Sequence, residues 1–197
     1  MARTTGTESI LDAAARWRDR CMLADGSVFT EQLLWTREHL AELTEHFTEN
    51  PDTGDRTFLE KLHEQLEPTS AGAKQLAAEM LWVLFLFPTN ISRGKKIENI
   101  ATVWSWSGAT LSPDNPEFAD LAIGIGSAGQ AYNTHRALEL QFFIRLMQDW
   151  KALTGERQAA LTADAWGFAD WIDGVEGAER RPLRHMLLHL LFPDTFE

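Results

Sequence analysis

Cysteine and tyrosine each occur once in the 197 residues, and no apolar run is long enough to cross a bilayer. A lone thiol, Cys21, cannot close an internal disulfide, and no cysteine pair is spaced for a zinc module. The longest apolar run, MLWVLFLF at residues 80–87, falls well short of the roughly twenty residues a spanning helix needs. The opening stretch MARTTGTES has no apolar core of the secretory kind. These absences predict a soluble protein of the reducing cytoplasm, with no membrane contact.

Positive charge is also scarce. With 18 Lys and Arg against 29 Asp and Glu, the formal net charge is −11 and the pI is near 5.0. Broad, sequence-independent duplex binding depends on cations that displace counterions from phosphates, so this balance argues against it and leaves room only for a local basic site. Missing too are a P-loop, a G-x-S-x-G elbow and a cysteine-protease signature. No nucleophile with its base can be assembled by spacing, and the expectation is a chain that is not an enzyme and carries no cofactor.

What is present reads as helix. Hydrophobic residues make up 44% and charged ones 24%, as in an ordinary globular protein. Ile10, Ala14, Trp17 and Cys21 share one face of a first helix capped by Thr7 or Ser9. A second is expected over residues 30–50, starting at Thr30, with Leu33, Leu34, Leu40, Leu43 and Phe47 inward and Glu38, Glu42, Glu45 and Glu49 outward. The next spans residues 56–67, and a fourth follows Ser70. This fourth helix begins amphipathic, with Lys74, Gln75 and Glu79 on its polar side, then turns apolar all round, which marks it as central. A fifth covers residues 94–106, with Ile97, Ile100, Ala101 and Trp104 at helical spacing, so that Trp104 also suits a core position. The turn-rich SWSGATLSPDNP at residues 105–116 divides two helical halves, 1–106 and 107–197. In the second half a long helix over residues 134–153 turns Leu138, Phe142, Leu146 and Trp150 inward, and shorter helices run to residue 192. The fold class is all-α, as one compact multi-helix domain or two halves packed together.

Few motifs suggest chemistry. Residues 124–129, GIGSAG, match the dinucleotide fingerprint formally, but a helix precedes them where the motif requires a strand, so a tight helix-to-helix turn is expected. His185 and His189, one helical turn apart, could face one metal ion, yet no third ligand can be named and no metal site is expected. Among eight tryptophans, Trp17, Trp82, Trp150, Trp166 and Trp171 fall in phase with apolar stripes. Trp104 and Trp106, with Arg93, Lys95 and Lys96 just upstream, form the best local case for nucleic-acid contact, because indoles stack on bases and cations meet phosphates. Arg181 and Arg184, at the start of the last helix, oppose its dipole and so require anionic partners, inside the protein or outside it.

Three stretches together carry a resemblance: QLAAEMLWVLFLFPTNISRGKKIENI at residues 75–100, the WSWSG that follows at 104–108, and RRPLRHMLLHLLFPDTFE at 180–197. They look like the helical region that precedes the AAA+ motor in McrB-like bacterial restriction proteins, above all in the closing H-x-L-F-P-D-x-F-E run. These are packing motifs, not catalytic ones. The resemblance implies an excised specificity or interaction module of an antiphage defence protein, with a nucleotide-hydrolysing motor following it in the full-length polypeptide. None of the modified-cytosine-reading residues of that family can be placed on this sequence. The implied ligand is foreign or modified nucleic acid, or another invasion signal, met by Trp104, Trp106, Arg93, Lys95, Lys96, Arg181 and Arg184. The rival expectation is an assembly module that binds a partner subunit, or the AAA+ domain of the same polypeptide, through its acidic surface or its Phe-rich helix ends.

Overall fold

Hydroxyl and carboxylate side chains set most of the helix starts in the computed structural model, which describes residues 7–51 and 54–196. Helix α1 is Thr7–Trp17; α2, Arg37–Leu43, is capped by Thr36 on the His39 amide. Helix α3, Phe58–Leu66, opens with a capping box in which Thr57 and Glu60 satisfy each other's backbone amides. Ser70 caps α4, Ala71–Leu86, and Ser92 caps α5, Arg93–Ser105. After a 3₁₀ turn at Pro116–Leu121 come α6, Gly129–Thr134, and α7, Arg136–Ala152. Thr154 and Asp164 cap α8, Gly155–Ala163, and α9, Ala165–Asp173, and the described chain closes with α10, Pro182–Leu191. No strand occurs among the described residues, so the fold is all-α.

Helix α4 is the axis. Thirteen of its residues are buried, and it packs against α1, α2, α5, α7 and the 3₁₀ turn. One continuous apolar cluster runs from Ile10 to Leu191 and takes in both halves of the chain. The halves also meet main chain to main chain. Ile125 N–H donates to Phe87 O at 2.7 Å and Thr89 N–H to Gly126 O at 2.9 Å. Gly124 sits at φ +80°, and a Cβ there would lie 2.7 Å from Pro88 O, so only glycine fits. The GIGSAG segment is thus a close backbone crossing.

Several expected faces are revised. Gln75 and Glu79 are not on a solvated side: α4 is enclosed all round, leaving them 6% and 0% exposed. The expected second helix begins six residues late, capped by Thr36 in place of Thr30, because residues 27–35 form an irregular segment drawn inward. Glu79 is what draws it. Its Oε1 accepts from Ser27 Oγ, from Val28 N at 3.1 Å and from Phe29 N at 3.3 Å, and its Oε2 accepts from Trp35 Nε1 at 2.6 Å. Leu33, expected inside, is left 63% exposed, and Leu138 on α7 is 42% exposed. The expected caps of the first helix fall inside it, since α1 already runs from Thr7.

Burial lifts the Glu79 carboxyl from 4.5 to about 7, against the pull of its four donors. Between those values the folded state holds a proton that the unfolded state has released, so this group's contribution to stability falls as pH rises. The shift corresponds to roughly 3 kcal/mol. We therefore expect the stability of the wild type relative to Glu79→Gln to decline by up to that amount from pH 4.5 to 7. Denaturant titrations of both proteins across that range check it, and a constant difference would contradict the assignment.

Candidate functional site

The residues singled out for nucleic-acid contact do not converge on one face. Trp104 is only 2% exposed and stands edge-on to Phe29 with centroids 5.6 Å apart, which makes it core. Lys96 is 1% exposed, and among the described residues its ammonium donates to the Leu121 carbonyl alone, at 3.4 Å. Neither can meet a phosphate or a base in this fold. Trp106 is half-buried, with its ring against His63 at 4.7 Å. Arg93 and Lys95 are exposed; Arg93 Nε donates to Phe118 O and Lys95 pairs with Glu98 at 3.0 Å. What remains of that cluster is two surface cations and one indole edge.

The second basic cluster is neutralised from within. Arg181 Nη1 donates to Glu139 Oε1 at 3.3 Å, and the other Glu139 oxygen accepts from Leu183 N at the start of α10. The carboxylate thus cancels the unfavourable placement of Arg181 at a helix N-terminus. Arg184 is held by both oxygens of Asp173 on α9.

His185 and His189 line a cavity of about 300 Å³ with Phe87, Ile125, Met186 and Pro182. His189 is already engaged, Nδ1 with Phe196 O at 2.8 Å and its ring edge-on to Phe87. Among the described residues no three His, Cys, Asp or Glu side chains are grouped to hold a metal. Cys21 is buried, and its thiol is pushed far above its usual range by desolvation and by the neighbouring Glu79 charge, which leaves it protonated and inert.

Four buried charged residues escaped the sequence reading. Beside Glu79 and Glu139 stands Lys151, whose ammonium donates to Cys21 O at 2.8 Å and Met22 O at 2.9 Å and pairs with Asp25. It thereby closes the wide last turn, Arg18–Met22, that follows α1. The fourth is Asp120, which accepts from Arg16 Nη2 at 2.7 Å; Arg136 at the start of α7 is half-buried, stacked over Phe85 at 4.9 Å and Phe58 at 5.7 Å. Only Glu79, set immediately before the apolar run, carried a sequence signal of burial. Trp166, placed in an apolar stripe by phase, is instead 66% exposed, with its ring 5.0 Å from Phe196.

Compared with protein families, with curated proteins and with solved structures, the chain matches none of them.

Two substitutions separate core from contact. Lys96 is buried without a carboxylate, which lowers its ammonium from 10.5 to about 8. Between those values the unfolded state holds the extra proton, so this residue's contribution to stability rises with pH. Lys96→Met is expected to stabilise the protein at pH 7 by on the order of 1–3 kcal/mol and to abolish that alkaline rise. Trp104→Ala should cost about 3–5 kcal/mol, as deletion of a buried aromatic does. Thermal and denaturant melts at pH 7 and pH 10 read both.

Proposed function

We propose that the chain is a non-catalytic recognition module of a McrB-like defence protein, and that it acts by binding a partner protein. Trp166 carries this reading. A large indole held 66% in solvent at the surface of α9 is unlike the other ring systems of the fold, and tryptophan is the side chain most often found at the energetic centre of an interface. Around it stand Asp164, the cap of α9, and Asp170 on α9, both exposed, on a chain of net charge −11. The chemistry this surface fits is an apolar pocket with a basic rim, on a partner subunit or on the AAA+ domain of the same polypeptide.

A second reading, recognition of foreign or modified DNA, is supported by Arg93, Lys95 and the half-buried Trp106 on and beside α5. Its weakness is electrostatic: two exposed cations are a small footprint beside the acidic excess.

The two readings part in one set of measurements. Light scattering over a concentration series, with and without candidate partner domains, is expected to show association that Trp166→Ala abolishes. Being exposed, that residue should change stability by no more than about 1 kcal/mol when replaced. Titration of the intrinsic tryptophan fluorescence with plain and cytosine-modified duplexes at low salt should leave the signal unchanged. A salt-dependent change that disappears in Lys95→Glu would overturn the partner-protein reading in favour of DNA.

A further inference from the structure

A cavity of about 320 Å³ opens where α3 meets the start of α7, lined among others by Arg56, Lys61, Arg136, Gln65, Thr134 and Leu138. All three of its charged lining residues are cations, and none is a carboxylate, on a chain with 29 acidic residues against 18 basic ones. Some buried charges elsewhere are ion-paired, Glu139 with Arg181, Lys151 with Asp25 and Asp120 with Arg16, whereas Glu79 and Lys96 are buried with hydrogen bonds alone. Arg136 is the exception among the lining residues. Its guanidinium packs on two phenylalanine rings, it has no ion-pair partner among the described residues, and its buried Nε has no hydrogen-bond partner there. Stacking satisfies the face of the guanidinium and leaves its in-plane N–H donors, which are directional and suited to a bidentate oxyanion.

We propose that this cavity binds a phosphoryl group, with Arg136 as its principal donor. Arg56 and Lys61, which have contacts of their own, add positive potential at the mouth. Gln65, whose amide donates to Asn50 O, and Thr134, which has a contact of its own, stand in the same wall. Helix α7 starts on that wall without a side-chain cap, so the positive end of its dipole acts in the same direction. The volume suits a phosphate or a small phosphorylated molecule at the lower end of ordinary ligand pockets. The site stands apart from the Trp166 surface in residues and in chemistry, and either assignment can fail without the other.

The test is amide and guanidinium NMR of the whole chain, titrated with inorganic phosphate, with adenosine monophosphate and with a short single-stranded oligonucleotide at constant ionic strength. Saturable shifts at Arg136 and its neighbours, with a Kd of roughly 1 mM or tighter for phosphate, are expected. Tighter binding of the mononucleotide than of the oligonucleotide assigns the site to small metabolites, and the reverse order to a nucleic-acid backbone. Arg136→Met should weaken phosphate binding at least tenfold, but it also removes the stacking on Phe58 and Phe85. Leu138→Glu serves as the second variant, because the position is exposed and an acidic residue in the first turn of a helix favours the fold. It should weaken binding at least tenfold with the melting temperature unchanged or raised. No saturable shift in the wild type, or binding left intact by Leu138→Glu, would overturn the proposal.

Discussion

A single carboxylate without a cation organises the middle of this protein. Glu79 lies on the most enclosed helix and spends its acceptor capacity on donors from residues 27–35, two of them backbone amides. Those bonds hold a segment that has no regular structure of its own, and the segment delivers rings to the core. Phe29 meets Trp82, Trp104 and Phe118 edge to face, while Trp35 meets Trp17 and Phe143. Without the carboxylate, the buried donors of Val28 and Trp35 would lose their acceptor, and each such loss costs about 1–3 kcal/mol. The aromatic packing therefore depends on a polar contact, and α1, α5 and α7 are placed partly by what Glu79 pulls in between them.

Other charged side chains act as stitches between segments distant in sequence. Lys151 on α7 closes the end of the α1 helix, Glu139 on α7 starts α10, and Arg16 on α1 reaches Glu117 and Asp120 in the 3₁₀ turn. Each joins the first hundred residues to the last hundred, or fixes an end of the second half. Cations used in this way are withdrawn from external partners, which is why the sequence's basic clusters shrink so much at the folded surface. Arg136, like Lys96, is a cation with no ion-pair partner among the described residues, and neighbouring rings hold it in place.

Most of the helical layout was legible in the sequence, because it is written in local signals: Ser, Thr or Asp at a start, proline or glycine at a stop, and apolar residues in phase between. The central place of α4 followed from its unbroken apolar end. The misreadings share one cause, since each turned on contacts between segments far apart in the chain. Nothing within residues 27–35 announces a carboxylate about fifty positions away, so a helix from Thr30 was the natural expectation. Phase placed Trp166 and Leu138 inward, but phase alone does not say whether another element covers that stripe. The Trp104 and Lys96 pair looked like a surface because cations flank an indole, yet the helix turns both inward. Of the candidate phosphoryl cavity, the sequence showed only the components, on α3 and α7, with nothing to tell that they meet.

The crossing at Gly124 shows a different kind of legibility. There the end of α4 and the loop before α6 are joined by main-chain donors and acceptors, with one side-chain bond beside them, from Tyr132 on α6 to Leu84 O. The main-chain contact's only mark in the sequence is a missing Cβ. A joint of this kind tolerates almost any neighbouring residue types while forbidding one change, so the seam between the two halves can stay fixed while the surfaces on either side diverge freely.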